Sequence, residues 1–188
     1  MAYSIYQTDA IILGIRDIQE HDLMIRAFSP LFGYIRIISK GGRKGTSKLR
    51  ANIQDFSLVH IAAVKGKEFF ILTDIKCIFS FIQSRSVVNF LKGAEALFFD
   101  DDDDHGTRIN TDIYGMLIRM CKHIIWLVSE KKDTGEAIRF FTIYVKGLQG
   151  FTGKMNIDGV LEYSDSELHF WIEEHAQLIQ ELESKLAL

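Results

Sequence analysis

Between residues 36 and 50 the chain carries Arg36, Lys40, Arg43, Lys44, Lys48 and Arg50, with glycines at 41, 42 and 45 and no acidic residue. Six cations in so short a stretch can neutralise several phosphates, which gives affinity that is salt-sensitive and independent of sequence. Glycines there would let the backbone approach a phosphate closely. The plain alternative is a solvated basic loop. A nucleotide-binding phosphate loop is excluded by spacing: that motif needs Gly-Lys-Ser/Thr in succession, and Gly45 is followed directly by Thr46.

Other candidate chemistry is weaker. Asp100–Asp104 followed by His105 places like charges side by side, without the spaced ligands and glycine of a calcium loop. It reads as a solvated linker, or as an acidic competitor for the basic stretch. Glu20-His21-Asp22 reads as a polar turn. Cys121 and His123 are two apart on an expected helix and point different ways, with Cys121 beside an apolar stripe. Trp126, Trp171, Phe140 and Phe141 read first as core, the alternative being an exposed subset that forms a pocket for a partner peptide. No constellation for nucleophilic or metal-assisted catalysis is found, and no metal or other cofactor is expected.

The elements that must position the basic stretch follow from periodicity. Alternating apolar residues with regular turn signals predict strands over Ala10–Arg16, Asp22–Ser29, Tyr34–Lys40, Phe56–Val64 and Lys67–Phe79. Ile11, Leu13 and Ile15 share one face of the first. Pro30-Leu31-Phe32-Gly33 makes a hairpin loop, Lys65-Gly66-Lys67 a tight turn, and Ser47–Gln54 a short helix. Five short strands suggest a small, nearly closed barrel. In the second hairpin, pairing Ile25 with Ile37 and Ala27 with Ile35 gives a core face. The opposite face then carries Arg26 with Arg36 and Phe28 with Tyr34, and a one-residue slip would mix the two sets. Cations beside aromatics on strands two and three of such a barrel form a stacking platform for nucleic acid. For Phe28 and Tyr34 the competing reading is burial under a helix from the second domain.

From about residue 83 the period becomes helical. Helices are predicted around 87–97, 113–127 and 137–148, with one amphipathic acidic helix over 166–186. The expected architecture is therefore α+β: a five-stranded N-terminal barrel over residues 1–80, then an all-α domain over 81–188. The formal charge of −3 hides an asymmetry. Up to Gly93 there are 13 Lys+Arg against 7 Asp+Glu, and beyond it 9 against 18. Two distant cysteines exclude a disulfide framework and fit a reducing compartment. No apolar run is long enough to span a membrane, and the first residues lack the basic region of a signal peptide, so a cytoplasmic location is expected.

Several segments together resemble the RecO family of bacterial recombination mediators. They are Thr8-Asp9-Ala10-Ile11-Ile12-Leu13, Asp17 through Asp22, and Phe28-Ser29-Pro30-Leu31-Phe32-Gly33. Ser39-Lys40-Gly41-Gly42-Arg43-Lys44, Ser47-Lys48-Leu49-Arg50 and Gln54-Asp55-Phe56-Ser57-Leu58 follow in that family's order and spacing of Lys-Gly-x-Arg, Ser-x-Leu-Arg and Gln-Pro-Phe. The likeness covers about residues 7–80. It implies an OB barrel with a helical domain and a non-enzymatic role in DNA repair. Implied activities are binding of single- and double-stranded DNA, strand annealing, and cooperation with RecR in loading RecA onto strands coated by single-strand-binding protein. It also implies phosphate contacts from Lys40, Arg43, Lys44, Lys48 and Arg50. Arg26, Tyr34 and Arg36 join that candidate set from the strand pattern alone. Asp55 stands where the family often has proline, and the chain is a short variant without the four cysteines of the zinc site many members carry. The rival class is a protein-interaction module that docks a partner such as RecR with little DNA affinity of its own.

Overall fold

The computed structural model describes residues 4–99, 107–148 and 159–186. Five strands, β1 (Ile5–Asp17), β2 (Leu23–Ser29), β3 (Gly33–Ser39), β4 (Ser57–Lys65) and β5 (Phe70–Ser80), close into a barrel in the order β1-β2-β3-β5-β4. All pairings are antiparallel except β3 with β5, the arrangement of an OB fold. The β2–β3 register is the expected one: Ile25 faces Ile37, Arg26 faces Arg36 and Phe28 faces Tyr34.

β1 is longer than its alternation predicts because it serves two partners. Ile5–Ile11 pairs with β4 and Ile11–Asp17 with β2. A bulge between Ile12 and Gly14 bends it, as barrel closure requires. Ile11 and Leu13 do not share a face with Ile15. Ala10, Ile12 and Ile15 pack into the barrel with Ile25, Ile37 and Ile61, while Ile11 and Leu13 are buried outside that cluster. The helix expected over Ser47–Gln54 is reduced to a single 3-10 turn, Arg50–Asn52, and Leu49 and Ile53 on either side of it pack against the barrel core.

The helices are α1 (Arg85–Phe99), α2 (Thr107–Ser129), α3 (Gly135–Leu148), α4 (Asp165–Glu174) and α5 (Ala176–Leu186). The single acidic helix expected at the C-terminal end is two. His175 stacks on Trp171 at 4.1 Å, its Nδ1 donates to the Trp171 carbonyl at 2.8 Å, and α4 ends there. Such side-chain bonding to backbone competes with the helical ladder. Ser164 opens α4 with a reciprocal capping box to Glu167. By compactness the chain divides between Thr111 and Asp112, so α1 goes with the barrel. The Asp100–Asp104 run lies outside the described residues.

In the second unit, Ile113, Met116, Leu117, Met120, Cys121, Ile124 and Leu127 of α2 form a buried stripe that shares a core with Phe140, Phe141, Leu168 and Ile172. Trp126 and Trp171 are only half-buried. Burial pushes the Cys121 thiol well above its ordinary range, while Cys77 on β5 is partly exposed. Ellman titration of the native protein should therefore register one fast thiol, with the second appearing only on unfolding. Two fast thiols would contradict this packing.

Candidate nucleic-acid interface

The six cations of the basic stretch are all solvent-exposed, running from Arg36 on the outer side of β3 into the β3–β4 connection. That connection is a succession of turns rather than a loose loop. The Lys44 N–H donates to the Gly41 carbonyl at 3.0 Å, Ser47 to Lys44 at 2.9 Å and Arg50 to Ser47 at 3.3 Å. It is tied to the β1–β2 turn twice, by Gly41 N–H donating to Asp22 Oδ1 at 2.7 Å and Arg43 N–H to the His21 carbonyl at 3.0 Å. Glu20-His21-Asp22 is thus the anchor of the basic stretch. The two turns enclose an open depression of about 640 Å³ with Lys40 and Lys44 on one side and Glu20 and Asp22 on the other.

Two of the three glycines serve the fold. Gly41 sits at φ +64° with its N–H taken by Asp22, and a side chain on Gly42 would meet Ser39 Oγ at 2.6 Å. Only Gly45 stands clear, with nothing within 4 Å of a would-be Cβ. Arg43 pairs with Asp17 at 2.9 Å, but both groups are about half exposed. Such a pair contributes little to stability and exchanges readily for a phosphate.

The other face of the β2–β3 hairpin is arranged differently from the expected open platform. Arg26 is paired with Glu95 of α1 at 2.9 Å, its guanidinium lying across Gly14, where any Cβ would collide with it. Phe28 is 2% exposed and packs against Phe98 of α1, ring centroids 4.5 Å apart and planes tilted by 38°. The Tyr34 phenol is raised above its usual pKa, first by burial and then by the Glu95 charge. Arg26 and Tyr34 are therefore occupied by α1, and of the four face residues only Arg36 stands open to solvent. Its guanidinium lies 5.1 Å from the centre of the Phe69 ring.

Phe69 was not among the sequence candidates. It ends the Gly66–Phe69 loop, whose tightness rests on Gly66, since a Cβ there would meet the Phe69 carbonyl at 2.5 Å. Phe32 was read only as part of a turn; it contacts Tyr6 and Phe70, with Lys65 Nζ 5.7 Å from its ring. The available signal was Lys65-Gly66-Lys67 followed closely by two phenylalanines, a cationic turn leading into aromatics.

The Arg26–Glu95 pair makes a prediction of its own. Glu95 is 13% exposed, so Glu95→Gln leaves a largely buried guanidinium without its counter-charge. It should lower stability by about 2 kcal/mol in urea unfolding. Parent-like stability would show that the pair contributes nothing.

Barrel topology and exposed cations define an OB-fold module with a basic surface. Residues 1–81 match the family described as Recombination protein O N terminal. The chain is 32% identical over 78 residues to the DNA repair protein RecO of Clostridium novyi, covering 42% of this chain and 30% of that protein. It is 35% identical over 63 residues to RecO of Desulfitobacterium hafniense, covering 34% and 23%. Over its first 80 or so residues the chain is thus similar to the N-terminal domain of RecO proteins. The matched stretch spans at most 30% of the length of these relatives. Among solved structures, asparaginyl-tRNA synthetase of Entamoeba histolytica aligns at 9% identity and a TM-score of 0.35, over 69% of this chain and 33% of that one.

Among the described residues, no group of three His, Cys, Asp or Glu side chains is placed to hold a metal ion, and no helix is long and apolar enough to cross a membrane.

Proposed function

We propose that this chain is a non-enzymatic DNA-binding component of recombinational repair, with residues 1–80 as the DNA-binding domain and 81–188 as a helical domain for protein contacts. The observation that carries this reading is the run of exposed cations Arg36, Lys40, Arg43, Lys44, Lys48 and Arg50 on a connection pinned to the barrel. A pinned array loses little conformational freedom on binding a polyanion. Arg36 over Phe69 adds a surface on which a base can stack. Arg26 and Tyr34 are left out of the proposed contact set because α1 occupies them. Both single- and double-stranded DNA fit such a surface, since phosphates are common to both. Annealing follows from screening the mutual repulsion of two strands held together. The similarity of residues 1–81 to the RecO N-terminal family supports RecR as protein partner, with RecA loading on strands coated by single-strand-binding protein as the process served.

A fluorescently labelled oligonucleotide titrated at several salt concentrations tests this reading. Affinity should fall steeply and linearly in log–log form with salt. One observation favours the rival interaction module: two of the eight candidate residues are engaged by α1. Absence of binding even at low salt would decide for that rival.

A further inference from the structure

The helical unit holds a cavity of about 290 Å³ between α2, α3 and α4, walled by His123, Lys132, Asp133, Glu136, His169 and Glu173 with aliphatic residues between them. His123 is fully buried, and its Nδ1 faces Asp165 Oδ1 at 3.3 Å. Asp165 is in turn fixed by Arg119 NH1 at 2.6 Å. A carboxylate only accepts, so Nδ1 carries the proton and Nε2 presents a lone pair. Asp165 does not line the cavity, so the ring edge turned away from it does. That Nε2 is buried without a partner. Glu136 is in the same condition: Oε1 accepts from Arg139 at 2.9 Å, while Oε2 is buried and unpartnered.

Two buried acceptors on different helices, around one cavity, call for a donor, and a buried acceptor left unpaired is costly. Three carboxylates in the wall against one lysine make that donor a cation. Lys132 does not serve, for its Nζ lies 5.0 Å from the centre of the Trp126 ring and on neither acceptor. A bare metal ion does not fit, because no three ligating side chains converge among the described residues. A guanidinium does: it is planar, carries five donors in a fork wide enough to reach two separate acceptors, and packs well on ring faces. The rings are at hand, since His123 stacks on Trp126 at 5.6 Å and His169 lies 5.8 Å from the same indole.

We propose that this pocket receives an arginine side chain presented by a partner protein, its guanidinium donating to His123 Nε2 and Glu136 Oε2. Burial holds the His123 imidazole neutral, with a pKa lowered to about 4, so the acceptor persists at physiological pH.

Both tryptophans of the chain lie in this unit, which makes intrinsic fluorescence a local reporter. The full chain is titrated with N-acetyl-arginine amide, and in parallel with the lysine and citrulline analogues. Citrulline keeps the shape and loses the charge. Only the arginine compound should give a saturable change, and Glu136→Gln should weaken it about tenfold. Glu136 is partly exposed, so this variant is expected to fold, which circular dichroism checks; His123→Gln is the harsher second variant. Equal responses to citrulline or lysine, no saturation, or parent-like binding by folded Glu136→Gln would each overturn the assignment.

Discussion

Replacing Arg43 and Lys44 together with glutamate lowers single-stranded DNA affinity about a hundredfold near ~0.1 M salt and reduces the salt slope by about 1.4. On a single strand each phosphate contact contributes roughly 0.7 to that slope, which amounts to about fivefold in affinity at ~0.1 M, and charge reversal adds repulsion. Both side chains are exposed and hold no core contact, so the fold should be untouched. The partner of the Gly41 N–H is Asp22, and the Arg43 backbone bond to His21 survives a side-chain change. A matched control is Lys122→Glu with Lys131→Glu, equally exposed on the helical unit, which should leave the slope at its parent value. A parent-like slope in the Arg43/Lys44 variant would remove the basic connection from the interface.

The second large effect is acid sensitivity centred on His123. Desolvation is the main cause of its lowered pKa of about 4, against an ordinary 6.5. The bond to Asp165 works in the opposite direction, and the nearby charges of Arg119 and His169 reinforce the lowering. Between those two values the unfolded chain binds a proton that the native state refuses, so stability falls as pH falls through this window. The full contribution is present above about pH 6.5 and gone below about pH 4. At roughly 1.4 kcal/mol per pH unit this corresponds to about 3 kcal/mol. Urea unfolding of parent and His123→Gln from pH 7 down to pH 4 measures it. The stability advantage of the parent should shrink by about that amount, whereas a constant difference would place the acid sensitivity elsewhere.

Where two residue sets alternate cleanly, the sequence was enough to read the structure. Slipping β2 against β3 by one position would have set the arginine of one strand on the same face as the isoleucines of the other, so the register followed from side-chain chemistry alone. Alternation failed on β1. Ile11, Ile12 and Leu13 are consecutive and all buried, because the barrel interior takes one side and the helix-covered exterior the other, with a bulge between. A strand covered on both faces has no polar side to reveal its phase. The basic stretch was visible as charge, but not its anchoring, since the bond from Gly41 to Asp22 joins turns 19 residues apart. Nor could Arg26 be distinguished from Arg36 by type. Only the path of α1, which brings Glu95 to one and not the other, separates a structural arginine from an available one. The cavity beside His123 was hidden for a similar reason, since one wall, His169 and Glu173, comes from a helix more than forty residues along the chain from His123.

The barrel closes between β3 and β5 through only two registered pairs, Ile37 with Phe70 and Ile38 with Ile71, whereas β4 and β5 are paired along nearly their whole length. A cylinder yields first at its shortest seam, and local opening there costs less than global unfolding. Amide exchange at this seam should therefore outpace exchange along β4. Arg36 and Phe69 stand on opposite banks of it. Breathing of the cylinder thus widens and narrows the gap between a cation and a ring, and for a base stacked there, as proposed, the weakest joint of the wall sets the width of its slot.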